Sequence, residues 1–376
     1  MVQEEVHEDV QEELPEVVQE EDQEKLQEVV QDQDPPLMML KKSRLILPAI
    51  ALSLIGAGLL GGCSSMSKDH MQLELAALEG NRALVDLGLQ RLELSFDQGA
   101  GPAPLEVVYV HLPATRPSPE LAPVVLIHGT PGTLYMWSDV LHDHDGAPRL
   151  SAERDVYAIE VLGHGIAPGE VEPMTFQRGA DFVAAAVQAL ELPPVHLVGH
   201  SYGGEMVWRA AVDHPELFRS ITLTSSSGYA RTREQFFPEE IEMRENSLAD
   251  IGWWINAPDR VATALEPHFA ELTEERVQEF FLTCENAVNW RAMVDLCQDE
   301  NGDRSADLAR LTLPVLLLWG ENDLAFPVER DAVRFLADLP DARMVTITAG
   351  HYPPEESPEA YARELEHFFS TLEGGQ

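Results

Sequence analysis

Lysine is scarce in this 376-residue sequence, and none follows Lys68. The 25 Lys and Arg residues are outnumbered by 65 Asp and Glu residues, so the formal net charge is −40. Nucleic acids and anionic lipid headgroups are bound through positive surface potential. The charge balance therefore argues against nucleic acid as a partner and against peripheral binding to an anionic membrane surface.

Cysteine is also scarce, with three residues in the whole chain. No Cys and His residues have the spacing of a zinc site, so the sequence predicts no metal centre. Cys284 and Cys297 could form a disulfide in an exported protein, or they could be two unpaired buried thiols. Geometry decides between these alternatives, and the sequence leaves both open.

Residues 1–37 form an acidic low-complexity extension that contains one lysine and no aromatic residue. Such a segment cannot bury enough apolar surface to fold by itself. Translation could instead begin at Met38 or Met39, and the extension would then be a mis-assigned start. The sequence is compatible with both interpretations.

Residues 38–62 have the pattern of a secretory signal, because three basic residues precede the apolar run 45–60. The end of this segment, Leu60-Gly61-Gly62-Cys63, resembles the lipobox of bacterial lipoproteins, in which the cysteine is lipidated. We therefore predict an exported lipoprotein, anchored to a membrane through Cys63 and located in the periplasm or at the cell surface. A plain transmembrane anchor is the alternative, although it needs about 20 apolar residues.

The remaining chain alternates strand patterns with helical ones. After residues 63–86, which we interpret as a tether and a lead helix, segments 87–94 and 105–112 predict a hairpin. Continuous apolar runs such as 124–127 and 195–198 then indicate strands that are covered on both faces of a parallel sheet. The sequence thus predicts an α/β fold with a mostly parallel, doubly wound sheet and helices on both faces.

Residues 229–311 interrupt this alternation. They contain no convincing strand pattern, many helix formers and several aromatic residues. A loop of this length without secondary structure would be unusual. We therefore predict a helical lid that is inserted between two parts of the core, 87–228 and 312–376.

A nucleophile is predicted where an apolar run leads into Gly199-His200-Ser201-Tyr202-Gly203 and a helical pattern follows. Gly-x-Ser-x-Gly at a strand-to-helix turn is the pattern of a nucleophile elbow, which lifts the serine clear of both elements. Glycines are needed there because larger side chains would collide with the neighbouring backbone. Ser201 is therefore the predicted nucleophile.

Such a serine needs a base that takes its proton, and the base needs an acid that orients it. After an elbow of this kind, the acid and then the histidine follow along the chain. Asp323 follows the apolar strand pattern 315–319 and His351 follows the last strand pattern, so both are expected at the carboxyl edge of the sheet. Glu321 is the rival acid, and His351 could instead cap the next helix. We predict that Ser201, Asp323 and His351 are the catalytic residues.

Five short motifs follow one another along the chain: His128-Gly129-Thr130-Pro131-Gly132, Gly163-His164-Gly165, the elbow, Trp319-Gly320-Glu321-Asn322-Asp323 and Gly350-His351. In this order they resemble the motifs of the α/β-hydrolase superfamily, and the likeness covers about residues 87–372. It is greatest to the lid-bearing, esterase-like branch that includes proline iminopeptidases and carbon–carbon bond hydrolases.

Two backbone amides are expected to bind the oxyanion that forms during acyl transfer. The elbow sets the amide of Tyr202, and the loop that contains Thr130 supplies the second. The resemblance also implies a cis peptide bond between Thr130 and Pro131, which would aim the Thr130 amide inward. Structural roles are expected for the other histidines near these motifs, His128, His164 and His200.

A serine at the elbow implies an acyl-enzyme, whereas the similar haloalkane dehalogenases and epoxide hydrolases use aspartate there. We therefore predict a serine hydrolase that cleaves an ester, thioester or amide without a cofactor or metal. The lid composition favours a small or medium hydrophobic acyl substrate. The alternatives are a non-catalytic membrane-tethered binding protein and a proline iminopeptidase-like aminopeptidase, which could hold the substrate amine through Glu239, Glu240 or Glu242. The sequence leaves the oligomeric state open.

Overall fold

The structure of the chain is a computed structural model that describes residues 65–97, 101–142, 149–150, 153–168, 173–246, 258–300 and 303–374. The acidic extension and the signal segment lie outside the described residues, and so does the lipidation site predicted at Cys63.

An eight-stranded sheet is present in the described part of the chain. Its strands are β1 (Gln90–Asp97), β2 (Pro102–Leu112), β3 (Val124–Ile127), β4 (Val156–Ile159), β5 (Val195–His200), β6 (Phe218–Thr224), β7 (Val315–Gly320) and β8 (Ala342–Ile347). They are arranged in the order β1-β2-β4-β3-β5-β6-β7-β8. The pairs β1–β2 and β2–β4 are antiparallel, and the other neighbours are parallel. The predicted α/β fold with a mostly parallel sheet is therefore confirmed.

The α-helices of the described residues precede β1, connect later strands or follow β8. They are α1 (Lys68–Ala77), α2 (Arg82–Leu87), α3 (Ser138–Leu141), α4 (Phe176–Ala189), α5 (Ser201–Asp213), α6 (Pro238–Glu245), α7 (Pro258–Leu265), α8 (Glu274–Cys284), α9 (Ala287–Asp299), α10 (Val333–Asp338), α11 (Pro353–Glu356) and α12 (Pro358–Glu373). A π-helical turn at Val328–Ala332 leads into α10. Within the described ranges, no helix has both the length and the apolar character that crossing a bilayer requires.

The apolar residues of the central strands belong alternately to two hydrophobic cores. Leu197 of β5 packs in the core that also contains Met206 of α5. Its neighbour Val198 packs in the opposite core, together with Tyr361 and Phe369 of α12. Because successive side chains of a strand point to opposite faces, a strand buried on both faces is continuously apolar. This explains why the strand patterns in the sequence do not alternate.

The first strand begins later than the sequence suggested. Residues 87–94 were expected to be extended, but α2 continues to Leu87 and β1 starts at Gln90. Gly88 lies between them with φ of +79°, a backbone conformation that glycine adopts readily because it has no Cβ atom. The strand therefore begins after this glycine, closer to the carboxyl terminus than the sequence predicted.

In the interval 229–311, the described residues contain helices α6 to α9 and short 3₁₀ turns, without a strand. Helical character was predicted for this interval. Its division from the core as a lid, with boundaries at 229 and 311, stays a prediction.

Candidate active site

Ser201 lies at a strained turn between β5 and α5. Its φ is +53°, a left-handed conformation that is uncommon for residues other than glycine and is found at functional sites. A Cβ atom at Gly203 would approach the carbonyl oxygen of His128 to 2.2 Å, and one at Gly199 would lie 2.8 Å from the carbonyl oxygen of Gly203. Both elbow glycines are therefore required by the close approach of neighbouring backbone.

The structure brings the three predicted catalytic side chains into one hydrogen-bonded line. Oγ of Ser201 lies 3.0 Å from Nε2 of His351, and Nδ1 of His351 lies 2.9 Å from Oδ2 of Asp323. All three residues are buried. With Nδ1–H donating to the carboxylate, Nε2 is left with a lone pair that can accept the serine proton.

Asp323 is held by backbone amides of the turn that follows β7. Its Oδ1 accepts hydrogen bonds from the amides of Ala325 at 2.9 Å and Phe326 at 3.0 Å. The rival acid Glu321 is exposed, and its carboxylate accepts instead from the hydroxyl of Thr348. The geometry therefore favours Asp323 as the partner of the histidine.

The backbone of His351 is bound on two sides. Its amide donates to the carbonyl oxygen of His268 at 2.8 Å, and its own carbonyl oxygen accepts from Nε2 of His200 at 2.8 Å. Burial lowers the pKa of His268 to about 3 and holds the pKa of His200 well below its ordinary value. Both neighbouring rings are therefore neutral near pH 7, and His200 has the structural role that was expected.

Glu356 is a further contact of this loop that the sequence did not indicate. Its Oε1 accepts from the amides of Gly350 and Tyr352, each at 3.0 Å, and these two residues flank His351. Its Oε2 accepts from the amide of Ala270 at 2.7 Å. The carboxylate thus connects the histidine loop to the segment before α8.

The loop after β3 runs directly against the nucleophile. A Cβ atom at Gly129 would lie 2.7 Å from Cβ of Ser201, and the peptide bond between Thr130 and Pro131 is cis, as expected. Thr130 and Tyr202 line the same cavity as Ser201. The role of their amides as oxyanion donors stays a prediction.

Thr130 is oriented by His164. Nδ1 of His164 donates to the carbonyl oxygen of Leu162 at 3.0 Å, so Nε2 accepts from the hydroxyl of Thr130 at 2.6 Å. Burial lowers the pKa of His164 to about 3, which keeps this tautomer neutral. The histidine of the Gly-His-Gly motif therefore positions the loop beside the nucleophile.

A cavity of about 140 Å³ opens beside Ser201. Apolar side chains form most of its wall, among them Met243, Leu265, Phe280, Trp290, Met293 and Phe326. Most of these belong to the helices α6 to α9. The arrangement provides an apolar volume next to the nucleophile, which suits a hydrophobic acyl chain.

Cys284 and Cys297 also line this cavity, and both are free. The disulfide considered between them is therefore not formed, and the alternative of two unpaired buried thiols is correct. Sγ of Cys297 instead faces the hydroxyl of Tyr202 and Sδ of Met243, each at 3.9 Å. Burial raises the pKa of both cysteines to about 12, so they remain thiols.

A buried polar network behind the elbow was missed by the sequence analysis. Arg231 donates to Glu300 and to Glu240, through contacts that include 2.9 Å from Nη2 to Oε2 of Glu300 and 2.6 Å to Oε1 of Glu240. Arg244 donates to the same oxygen of Glu300 at 3.1 Å. Two arginines thus face two carboxylates, and the charges balance. Glu300 is distant in the sequence from the other three residues, and none of the four belongs to a motif.

No group of three or more His, Cys, Asp or Glu side chains in the described ranges could hold a metal ion. The site itself presents the serine hydroxyl, the imidazole and the carboxylate, with backbone amides around them.

Comparison with known proteins gives a family and several relatives. Residues 124–364 match the alpha/beta hydrolase family. An uncharacterized hydrolase, YugF, of Bacillus subtilis (strain 168) is 27% identical over 250 residues, which are 65% of this chain and 89% of the relative. A pimeloyl-(acyl-carrier protein) methyl ester esterase of Neisseria meningitidis serogroup B is 29% identical over 269 residues, which are 67% of this chain and 93% of the relative.

Solved structures with the same fold include hydrolases. A bacterial membrane phospholipase A has a TM-score of 0.63 at 23% identity, with 80% of this chain and 92% of that chain covered. A thermophilic esterase from Thermogutta terrifontis has a TM-score of 0.61 at 19% identity, with 76% and 99% covered. At these identities the likeness establishes the fold.

Proposed function

Because this chain belongs to the alpha/beta hydrolase family, we propose that it is a serine hydrolase that cleaves carboxylic esters through an acyl-enzyme. The observation that carries the proposal is the hydrogen-bonded line from Ser201 through His351 to Asp323 at the wall of an apolar cavity. Related proteins that act on esters support the same choice.

In the first half of the reaction, Oγ of Ser201 attacks the ester carbonyl carbon while Nε2 of His351 takes its proton. The amides of Thr130 and Tyr202 donate to the oxyanion of the tetrahedral intermediate, and each such donor is worth about 3 kcal/mol. The intermediate then collapses, the bond to the alcohol breaks, and His351 returns the proton to the departing oxygen. Ser201 is left acylated.

In the second half, His351 takes a proton from water, and the resulting hydroxide attacks the acyl carbon. Collapse of this intermediate releases the carboxylic acid and returns the proton to Ser201. Asp323 holds the imidazole in the required tautomer and stabilises its cation in both halves. The same steps apply to thioesters and amides, which differ in the leaving group.

An aminopeptidase of the proline iminopeptidase kind would need free carboxylates to hold the substrate amine. Of the three candidates considered for this role, Glu239 and Glu240 line the cavity, and Arg231 binds the carboxylate of Glu240. The carboxylate of Glu239 would be available for a substrate amine, so the choice of an ester substrate rests on the related esterase. A non-catalytic binding protein, in turn, would have no need of the aligned triad.

The test is covalent labelling. A fluorophosphonate probe should label the purified wild-type protein and leave Ser201→Ala unlabelled, with both proteins shown to be folded by circular dichroism. A panel of 4-nitrophenyl acyl esters beside aminoacyl arylamides should show ester turnover that Ser201→Ala abolishes. Folded wild-type protein that stays unlabelled would favour the binding protein, and faster cleavage of arylamides would favour the aminopeptidase.

We propose further that the protein is an exported lipoprotein anchored through Cys63. Support comes from the basic residues before the apolar run 45–60 and from the segment Leu60-Gly61-Gly62-Cys63. Metabolic labelling with an alkyne fatty acid should tag the wild-type chain and leave Cys63→Ala untagged. Equal tagging of both proteins would contradict the assignment of this cysteine.

A further inference from the structure

Glu239 places a carboxylate on the wall of the cavity that contains Ser201. The residue lies in the first turn of α6, and its side chain forms no ion pair with any Lys, Arg or His of the described residues. The neighbouring Glu240 differs, because Arg231 binds it. The carboxylate of Glu239 is therefore without a cationic partner among the residues that the structure describes.

The described part of the cavity wall offers no Lys or Arg side chain to Glu239. The segment 247–257, which connects α6 to α7, contains neither Lys nor Arg in its sequence. Arg231 and Arg244 belong to the buried polar network described above. Their charges are balanced there by Glu240 and Glu300.

An uncompensated charge in an apolar cavity acts over several ångströms. Burial is the main cause that raises the pKa of Glu239, and the nearby carboxylates of Glu240 and Glu242 add to it. The direction shows that the surroundings already disfavour a negative charge. An anionic group on a substrate would be repelled by the carboxylate of Glu239. The repulsion would be stronger than in water, because the cavity screens charges less than water does.

We propose that Glu239 is a specificity-determining residue, through which the cavity accepts uncharged and cationic acyl groups and rejects anionic ones. This inference rests on the proposed ester hydrolase activity. The substrate class is thereby narrowed to apolar acyl esters that carry no carboxylate or phosphate on the acyl chain. A cationic group at the far end of the chain would be tolerated or favoured.

The experiment compares two isosteric pairs of 4-nitrophenyl esters. The first pair is adipate monoester against adipamate, which replaces a carboxylate by a neutral amide. The second pair is 4-(trimethylammonio)butanoate against 5,5-dimethylhexanoate, which replaces a quaternary nitrogen by carbon. Ratios of kcat/KM within each pair are measured for the wild type, Glu239→Gln and Glu239→Lys, after circular dichroism has shown that the variants are folded.

The wild type should prefer adipamate over adipate by roughly tenfold or more. Glu239→Gln should reduce this preference by roughly fivefold. It should also lower kcat/KM for the quaternary ammonium ester relative to its neutral partner. Glu239→Lys should reverse the first ratio, so that adipate is preferred over adipamate. The matched control is Glu234→Gln, which removes the same charge from an exposed residue that does not line the cavity. Its ratios should equal those of the wild type.

Two failures can be told apart. If the fluorophosphonate probe does not label the wild type and no ester is cleaved, the proposed activity itself is wrong. If the wild type is labelled and cleaves the neutral esters, but Glu239→Gln leaves both ratios unchanged or Glu234→Gln shifts them equally, the role of Glu239 is overturned and the hydrolase proposal stands.

Discussion

The hydroxyl of Tyr202 lies 3.0 Å from Oε2 of Glu300, the residue that follows α9. Desolvation is the largest cause that holds the pKa of Tyr202 well above its ordinary value, so the hydroxyl keeps its proton and donates. Tyr202 is also the residue directly after the nucleophile. The end of α9 and the nucleophile turn are therefore joined by a buried hydrogen bond to a carboxylate.

Removing this hydrogen bond should destabilise the protein measurably. A buried hydrogen bond to a charged group is worth about 1.5–3 kcal/mol, so Tyr202→Phe should lower the free energy of unfolding by about 2 kcal/mol. A double-mutant cycle with Glu300→Gln, followed by urea denaturation, should give a coupling energy of about 1 kcal/mol or more. The exposed pair Arg233 and Glu245 is the control, and its cycle should show much weaker coupling because water solvates both groups. Additive effects of Tyr202→Phe and Glu300→Gln would contradict the prediction.

Asp323→Asn should reduce kcat by about 10⁴-fold, because an amide cannot fix the imidazole in the required tautomer or stabilise its cation. The matched control is Glu321→Gln, which alters the rival acid in the same turn. Its exposed carboxylate contacts Thr348 and not His351, so kcat should stay close to that of the wild type. Steady-state hydrolysis of a 4-nitrophenyl ester measures both. A larger loss in Glu321→Gln would transfer the role of the acid to Glu321.

Glu356→Ala should lower kcat by roughly 10–100-fold and leave KM within about threefold, since the change misaligns the general base without touching the acyl cavity. The physical reason is the loss of the carboxylate that binds the amides on both sides of His351. Glu359→Gln is the control, because Glu359 is exposed in the first turn of α12. A positioning role would be contradicted if Glu356→Ala and Glu359→Gln lost equal amounts of kcat and of unfolding free energy. It would also be contradicted if Glu356→Ala changed only KM.

The stability of the protein should depend on the charge of Glu355. Burial is the main cause that raises the pKa of this carboxyl to about 8 from an ordinary value of 4.5, although Arg276 opposes the shift. Between pH 4.5 and about pH 8, the folded state therefore binds more protons at this group than the unfolded state does. The stability that this group contributes is fully present below pH 4.5 and is lost as the pH rises to about 8. Glu355→Gln should lose less stability than the wild type across this window in urea titrations. Parallel curves for the two proteins would refute the prediction.

Much of the catalytic site could be predicted because its signals are local. The elbow at Ser201 needs a strand, two close-fitting glycines and a helix, and all of them occur within one short stretch. Asp323 and His351 each follow an apolar strand, and parallel strands place their carboxyl ends at one edge of the sheet. The order of the motifs then specifies which side chains meet, without any knowledge of distances.

Contacts between distant side chains were not predictable in this way. In the sequence, Glu356 resembles any solvated acid near a helix end. Arg231 and Glu300 lie in segments without a motif. Their roles depend on which surfaces pack together. The preference for Asp323 over Glu321 likewise rests on burial and on the amides that hold the carboxylate of Asp323.

The sequence by itself determined which groups could form the proposed catalytic site: a hydroxyl, an imidazole and a carboxylate that follow strands with a readable apolar pattern. Tertiary packing alone decided the rest. It left Cys284 and Cys297 as separate thiols and neutralised Glu240 through Arg231, and it left Glu239 on the cavity wall without a cation among the described residues. Hydrophobic periodicity is a property of neighbouring residues, whereas charge compensation and thiol pairing depend on directions and distances that exist after the chain has folded.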